Sequence, residues 1–485
     1  MSPRHHRRRK TVARPWAERL IEAGVLALLV FTPLAYGTVE LWSEAIAELL
    51  ILGLGVIWLL AMLPHWELRF ELPAGWQPAG LFLALIVLQA LPLPNVIVGL
   101  ISPAAASLTQ EAWAFTGGSS STMALSLQPD ATWRLTLKFL ALGLFFLVVY
   151  NTYRSRAQAR RAVWVMIGMG TLLALFGIVQ RMTWNGRFYW VGPEAPGPSA
   201  FGPFVNRTHF AGLIVVIVPV ALALLLADRR HPTRQRQRHS HDWQARLRSW
   251  NSQEAGPASL IPWLIFLMGG AALVGGSRGG LLALLAVLVL MIGLGARGAA
   301  GRGRGWRIAL VSLLVVLSGL WIGSDIIYGT VERLAEELGQ PEESLRLHVW
   351  ADALHLWWQF PALGSGLATF GVAFPMVRTL AAPVTFTHAE SDWMQLLTDT
   401  GAVGLLLILL SLGMVVLTLR HRYRQASSQW SRSFALAGLV ALLGAAVQSV
   451  ANFNLPVMSN FIYLALTVAL ALRADDMTEP HGHTP

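Results

Sequence analysis

The chain has 485 residues, 54% hydrophobic and only 13% charged, with a mean hydropathy of +0.53. Soluble globular chains carry about 25% charged residues, so disorder and an ordinary soluble enzyme are excluded. The net charge of +11 sits mainly in short segments between apolar runs, which argues against a nucleic-acid partner, and the lack of cysteine removes disulfides, thiolate nucleophiles and Cys-ligated metals.

The apolar runs are near the length of a bilayer-crossing helix. They predict an all-α polytopic membrane protein with about twelve spans, at 20–36, 45–63, 79–100, 134–151, 162–181, 208–227, 259–276, 279–296, 308–327, 396–419, 433–450 and 457–473. Arg4, Arg7, Arg8, Arg9 and Lys10 precede the first run, with no small-residue cleavage site after it, so a retained signal-anchor helix is expected. With the N-terminus in the cytosol, 28 of the 37 Lys and Arg fall on inner segments, and both termini are inside. One transmembrane domain, 20–473, then stands between a basic N-terminus (1–19) and a tail (474–485).

Residues 259–296 test this topology. As one helix they would be about 57 Å long, against a hydrocarbon core of about 30 Å. The segment must turn back, and Gly275-Gly276-Ser277-Arg278-Gly279-Gly280 is the turn. The basic inner loop 228–258 then faces anionic headgroups. Outer loops cover 101–133, 182–207 and 328–395, the last with a Trp-rich helical stretch, Glu342–Phe360, suited to the membrane interface.

The outer face gathers the unusual polar residues: Asn206, Arg207 and His209 at the mouth of the sixth span, Arg278 in its glycine turn, Arg346, then His388, Glu390 and Asp392, and Asn452 with Asn454. Guanidinium groups offer planar paired donors and keep their charge, so Arg207 and Arg278 suit a diphosphate, although snorkelling to the interface also accounts for them. An imidazole, with an ordinary pKa of about 6.5, is a suitable general base. His388 fits that role with Glu390 or Asp392 to orient it; a loop histidine that merely packs is the alternative. His388-Ala-Glu390 is not a metal-ligand spacing, and no metal site is assigned. Trp184, Trp190, Trp350 and Trp357 fit the aromatic belt of a bilayer. No phosphate-cradling G-x-x-x-x-G-K loop is present, so a substrate from the outer leaflet is expected instead of a cytosolic nucleotide sugar.

Six stretches in order resemble the O-antigen ligase and polymerase superfamily of bacterial envelope glycosyltransferases. They are Phe31–Trp42, Phe204-Val-Asn-Arg-Thr-His-Phe-Ala-Gly212, Gly276-Ser-Arg-Gly-Gly280, Arg346-x-x-x-Trp350 with Pro361–Gly366, His388–Gly401, and Asn452-Phe-Asn-Leu-Pro456. The resemblance spans most of 18–472. It implies a lipid-dependent glycosyltransferase of GT-C type in the inner membrane, with its active site facing the periplasm. The glycan would come from an undecaprenyl-diphosphate carrier, without a cofactor or metal, and would pass to a hydroxyl of another glycan or of lipid A-core. Carried over by motif, Arg207 and Arg278 hold the diphosphate, His388 activates the acceptor, and Arg346 matches a further motif arginine. Ser391 stands where the family often has Asn. Ligase and polymerase are not separated by these residues. A transporter or flippase of lipid-linked glycans is the reading from another class.

Overall fold

A computed structural model describes residues 15–62, 70–195, 199–227, 257–297, 341–379, 385–454 and 456–479. The architecture is an all-α membrane bundle, as the sequence leads one to expect. In chain order the helices are α1 (Pro15–Leu34), α2 (Leu41–Met62), α3 (Trp76–Ala90), α4 (Asn95–Ile101), α5 (Pro103–Thr116), α6 (Pro129–Thr152), α7 (Arg156–Met182), α8 (Arg207–Ala227), α9 (Ile261–Gly275), α10 (Arg278–Arg297), α11 (Pro341–Gln359), α12 (Phe370–Ala373), α13 (Asp392–Gln425), α14 (Gln429–Gln448) and α15 (Met458–Arg473). Among the described residues, six helices are long and apolar enough to cross a membrane: α2, α6, α7, α8, α13 and α14. Shorter apolar helices include α3, α9, α10 and α15. Every expected span overlaps a helix except 308–327, which lies outside the described residues.

One span ends earlier than its hydropathy implies. The run 79–100 stays helical only to Ala90. Pro92 and Pro94 lack the backbone N–H that a continuing helix needs. The chain leaves as a two-residue strand, Leu93–Pro94, paired antiparallel with Thr122–Met123. Helices α4 and α5 then add to an outer cluster with its own small core, where Val98, Ala105 and Met123 meet Val349, Leu356 and Phe370. The two outer loops thus fold together over one end of the bundle.

Helix α8 is buried from His209 to Leu224. A helix that is apolar all round has no wet face to offer, and α8 sits among α7, α9, α10, α14 and α15. Helix α14 is its main neighbour and also contacts α10, α13 and α15. Lys138 of α6 is buried and forms an ion pair with Glu44 of α2, which accounts for a lysine inside an apolar helix.

Helix α13 is broken at Gly401, where φ is +66°. An L side chain is strained there, and a Cβ would strike the Ala362 carbonyl. The break is filled by the turn that precedes α12. Ala402 N–H donates to Pro361 O at 2.9 Å, Ser365 N–H to Thr398 O at 3.0 Å, and Gly366 N–H to Asp399 O at 3.0 Å. Gln89 of α3 closes the same knot, donating to Leu363 O at 2.6 Å and to Asp399 O at 2.9 Å. Backbone groups freed inside a membrane must be satisfied by protein, and this knot does so while fixing the outer loop to the bundle.

The opposite end of the bundle is basic. Arg156 pairs with Glu479, Arg161 with Glu22 and Arg473 with Glu71. The starts of α7 and α14 and the ends of α13 and α15 lie there together, where Arg422 also faces Asp476 at 3.7 Å.

Candidate functional site

Four segments distant in sequence meet at the other end. The first is the start of α8. Asn206 caps it: its Oδ1 accepts the Thr208 N–H at 2.9 Å. Arg207 follows as the first helical residue, exposed, with its N–H donated to Ser199 O at 2.6 Å.

The second is the turn from α9 into α10. Gly276 takes φ +70°, a conformation available to glycine at little cost. Ser277 then caps α10, its hydroxyl accepting the Gly280 N–H at 3.2 Å. Arg278 is the first residue of α10 and is exposed. An Nη1 of Arg207 lies 3.8 Å from where a Cβ on Gly276 would stand. The two arginines expected to act together therefore flank one turn.

The third segment is the link from α14 to α15. The Asn452 side-chain amide lies against Gly279, leaving no room for a Cβ there. Gln448 Nε2 donates to Thr208 O at 3.0 Å, and Asn460 Nδ2 to His209 O at 3.0 Å. The link is thus tied to the first turns of both α8 and α10.

The fourth is 388–392. His388 is half-buried, its Nδ1 2.7 Å from Thr387 O. A carbonyl oxygen only accepts, so this bond requires the proton on Nδ1 and leaves the Nε2 lone pair available. Its orienting partner is thus a backbone carbonyl. The His388 ring stands edge-on to Phe453, with centroids 4.5 Å apart. Phe453 is also edge-on to His209, at 5.5 Å. Arg278, through Gly279 and Asn452, and His388, through Phe453, border the same short link.

The remaining expected residues have other surroundings. Glu390 carries φ +54°, a strained value for a non-glycine residue. Its Oε2 is 4.0 Å from Arg346 Nη2, a half-exposed pair that contributes little stability. Trp350, from the same helix as Arg346, donates its indole N–H to Ala389 O at 3.1 Å. His209 is 5% exposed and sits behind the Phe453 ring, not on an open surface. Neither of its ring nitrogens meets hydrogen-bond geometry, though the Phe453 backbone is near enough to act on the ring.

Asp392 holds the link. Its Oδ2 accepts the Ser449 hydroxyl at 2.7 Å and the Asn454 N–H at 3.0 Å. Its own N–H reaches Ser449 O at 3.0 Å and Asn452 O at 3.1 Å. Ser391 caps α13 and donates to Ser449 O at 3.2 Å. Asp392→Ala would leave a buried hydroxyl and a buried N–H unpaired, each worth about 1–3 kcal/mol. The expected result is a lower thermal midpoint in detergent, partly recovered by Asp392→Asn. An unchanged midpoint for Asp392→Ala would show that the link does not depend on this carboxylate.

Residues 263–409 match the family model described as O-antigen ligase. The matched segment is less than a third of the chain. The matched span includes Arg278, Arg346, His388, Glu390 and Asp392, while Asn206, Arg207, His209 and the 449–456 link lie outside it and are brought in by the fold. This match and the six helices long and apolar enough to cross a membrane support a multi-pass membrane protein of O-antigen ligase or polymerase type. A chain in a solved structure of a peptidoglycan synthase complex is similar over 84% of this chain and 99% of its own length, at 17% identity and a TM-score of 0.40. No curated protein matches the chain.

Two features of the site carry no signal in the sequence. One is the contact of Phe453 with both histidines, although Phe453 lies within the Asn452-Phe-Asn454 motif. The other is the tie from Asp392 to Ser449, which spans a sequence separation of 57. Neither partner carries a local signal for the other.

Proposed function

We propose that the protein transfers a glycan from an undecaprenyl-diphosphate carrier to a hydroxyl acceptor at the periplasmic face of the inner membrane. The observation that carries this reading is the convergence of the Arg207–Arg278 turn and His388 on the two sides of Asn452-Phe453. Two guanidinium groups at one turn suit the diphosphate, whose charge grows as it leaves. The N-terminal N–H groups of α10 add to that field. His388 Nε2 takes the proton of the acceptor hydroxyl as its oxygen bonds to the anomeric carbon. The bond from that carbon to the diphosphate oxygen breaks, and the electron pair leaves with the diphosphate. A single displacement of this kind inverts the carbon. Arg346 and Glu390 shape the entrance beside His388, and Asp392 keeps the Phe453 link in place.

The polar cluster lies at one end of the bundle. Transport sites usually lie near the midplane on broken helices, so its position favours chemistry over flipping. Cells lacking this chain should accumulate glycan on its polyprenyl diphosphate while surface polysaccharide is lost or shortened. Normal surface polysaccharide with no stranded carrier would count against the reading.

A further inference from the structure

Beneath the Asn452–Asn454 link, α8, α14 and α15 enclose a chamber of about 10 Å³. One water molecule needs roughly 10–15 Å³, so nothing larger fits. A void walled by hydrocarbon would stay dry, but amides face this one. Gly212 of α8, Gln448 of α14, Asn454 of the link and Asn460 of α15 all line it. A Cβ on Gly212 would stand 2.9 Å from Asn460 Nδ2, 3.2 Å from Gln448 Oε1 and 3.3 Å from Asn454 Cγ. Three amides thus converge on the space that a side chain at Gly212 would take, in a helix buried on every side.

The bonds already made fix how two of these amides are turned. Gln448 Nε2 donates to Thr208 O, which leaves its Oε1 for the chamber. Asn460 Nδ2 donates one hydrogen to His209 O and keeps a second. Asn454 is 6% exposed, and its backbone N–H is taken by Asp392 Oδ2. Neither Oδ1 nor Nδ2 of its side chain meets a hydrogen-bond partner among the described residues. Buried polar groups are satisfied by protein or by ordered water. The chamber therefore offers an acceptor from Gln448, a donor from Asn460 and either one from Asn454. A cation would face the Asn460 N–H, and an anion would face Gln448 Oε1. Water both donates and accepts, and a buried one makes about three bonds.

We propose that the chamber holds one ordered water, bonded to Gln448, Asn454 and Asn460, and that this water makes Asn454 a positioning residue for glycan transfer. The water ties the link to three helices at once. Asn454 follows Phe453, whose ring meets His388 at 4.5 Å, and it is two residues from Asn452, which lies against Gly279 beside Arg278. Seating Asn454 therefore fixes the spacing between the base and the diphosphate clamp. The positioning role rests on the transfer reading above; the water site does not.

The test is cryo-electron microscopy of the full chain in phospholipid nanodiscs, at a resolution that shows ordered water, beside kinetics of transfer from labelled polyprenyl-diphosphate glycan. The wild type should show one peak within about 3 Å of Gln448 Oε1 and Asn460 Nδ2, unchanged when choline replaces sodium in the buffer. No peak, or an Asn454 amide swung onto another protein group, would overturn the proposal. A peak that vanishes with sodium would be a cation and would overturn it too. Gly212→Ala puts a methyl group in the chamber and should abolish the peak. Asn454→Ala only removes atoms, so a folded protein remains to be measured if Gly212→Ala does not fold. In each, kcat should fall about tenfold, part of the roughly 10²-fold that an ångström of misplacement can cost. KM for the donor should hold, because both arginines remain. The two variants disturb one water, so the double variant should lose no more than either alone. Wild-type kcat in both variants, a raised KM in place of a lowered kcat, or losses that multiply would each overturn the positioning role. The peak needs no turnover, so His388→Ala should keep it, which separates failure of the water site from failure of the transfer reading.

Discussion

His388→Ala should lower glycan transfer by about 10²–10⁴-fold, the usual range for a lost general base, without unfolding the protein. The stability half follows from the surroundings. His388 is half-buried, and its ring bond is to the carbonyl of its own neighbour, Thr387. Removing the ring frees one carbonyl near solvent and one edge contact with Phe453. The activity half follows from the proton on Nδ1. With Thr387 O holding that side, Nε2 alone can take the acceptor proton. His388→Asn separates the two sides: its amide can replace the Nδ1–H donor but cannot take up a proton at neutral pH. It should be as inactive as alanine while keeping the loop in place. Both variants are read as transfer from labelled polyprenyl-diphosphate glycan in membranes. Wild-type rates in His388→Asn would remove His388 as the base.

The helical bundle was largely legible because a bilayer imposes a length and polarity rule on each span separately. The turn at Gly275–Gly280 shows this well: arithmetic on residues 259–296 forces it, and α9 and α10 break there. The early end of α3 shows the limit. Hydropathy runs on to Leu100, but Pro92 and Pro94 decide the backbone. At the site, Arg207, Arg278 and His388 were readable as polar groups that are costly near lipid. What each one touches was not. Asp392 looks like a partner for His388 from a spacing of four, yet its carboxylate goes to Ser449 and Asn454 on another helix pair. His209 looks like part of an open mouth, yet close packing of α8 against α14 and α15 places it behind Phe453. Such placements depend on contacts between segments 57 or more residues apart, which no local pattern encodes.

Arg278→Ala should cost about 10²–10³-fold in transfer, the range seen when a preorganised donor to developing charge is removed. Arg278→Lys should restore only part, because an ammonium keeps the charge but lacks the paired planar donors. Arg207→Ala should cost less, since Arg207 reaches the Gly276 turn from the start of α8, whereas Arg278 belongs to the turn itself. The decisive quantity is the coupling between them. Two groups on one diphosphate are not independent, and residues that share a partner show interaction energies of about 0.5–3 kcal/mol. The double variant should therefore lose less than the product of the single losses. Strict multiplicativity would place the two guanidinium groups on different partners, and the shared clamp at the Gly276 turn would have to be given up even if each arginine proved necessary.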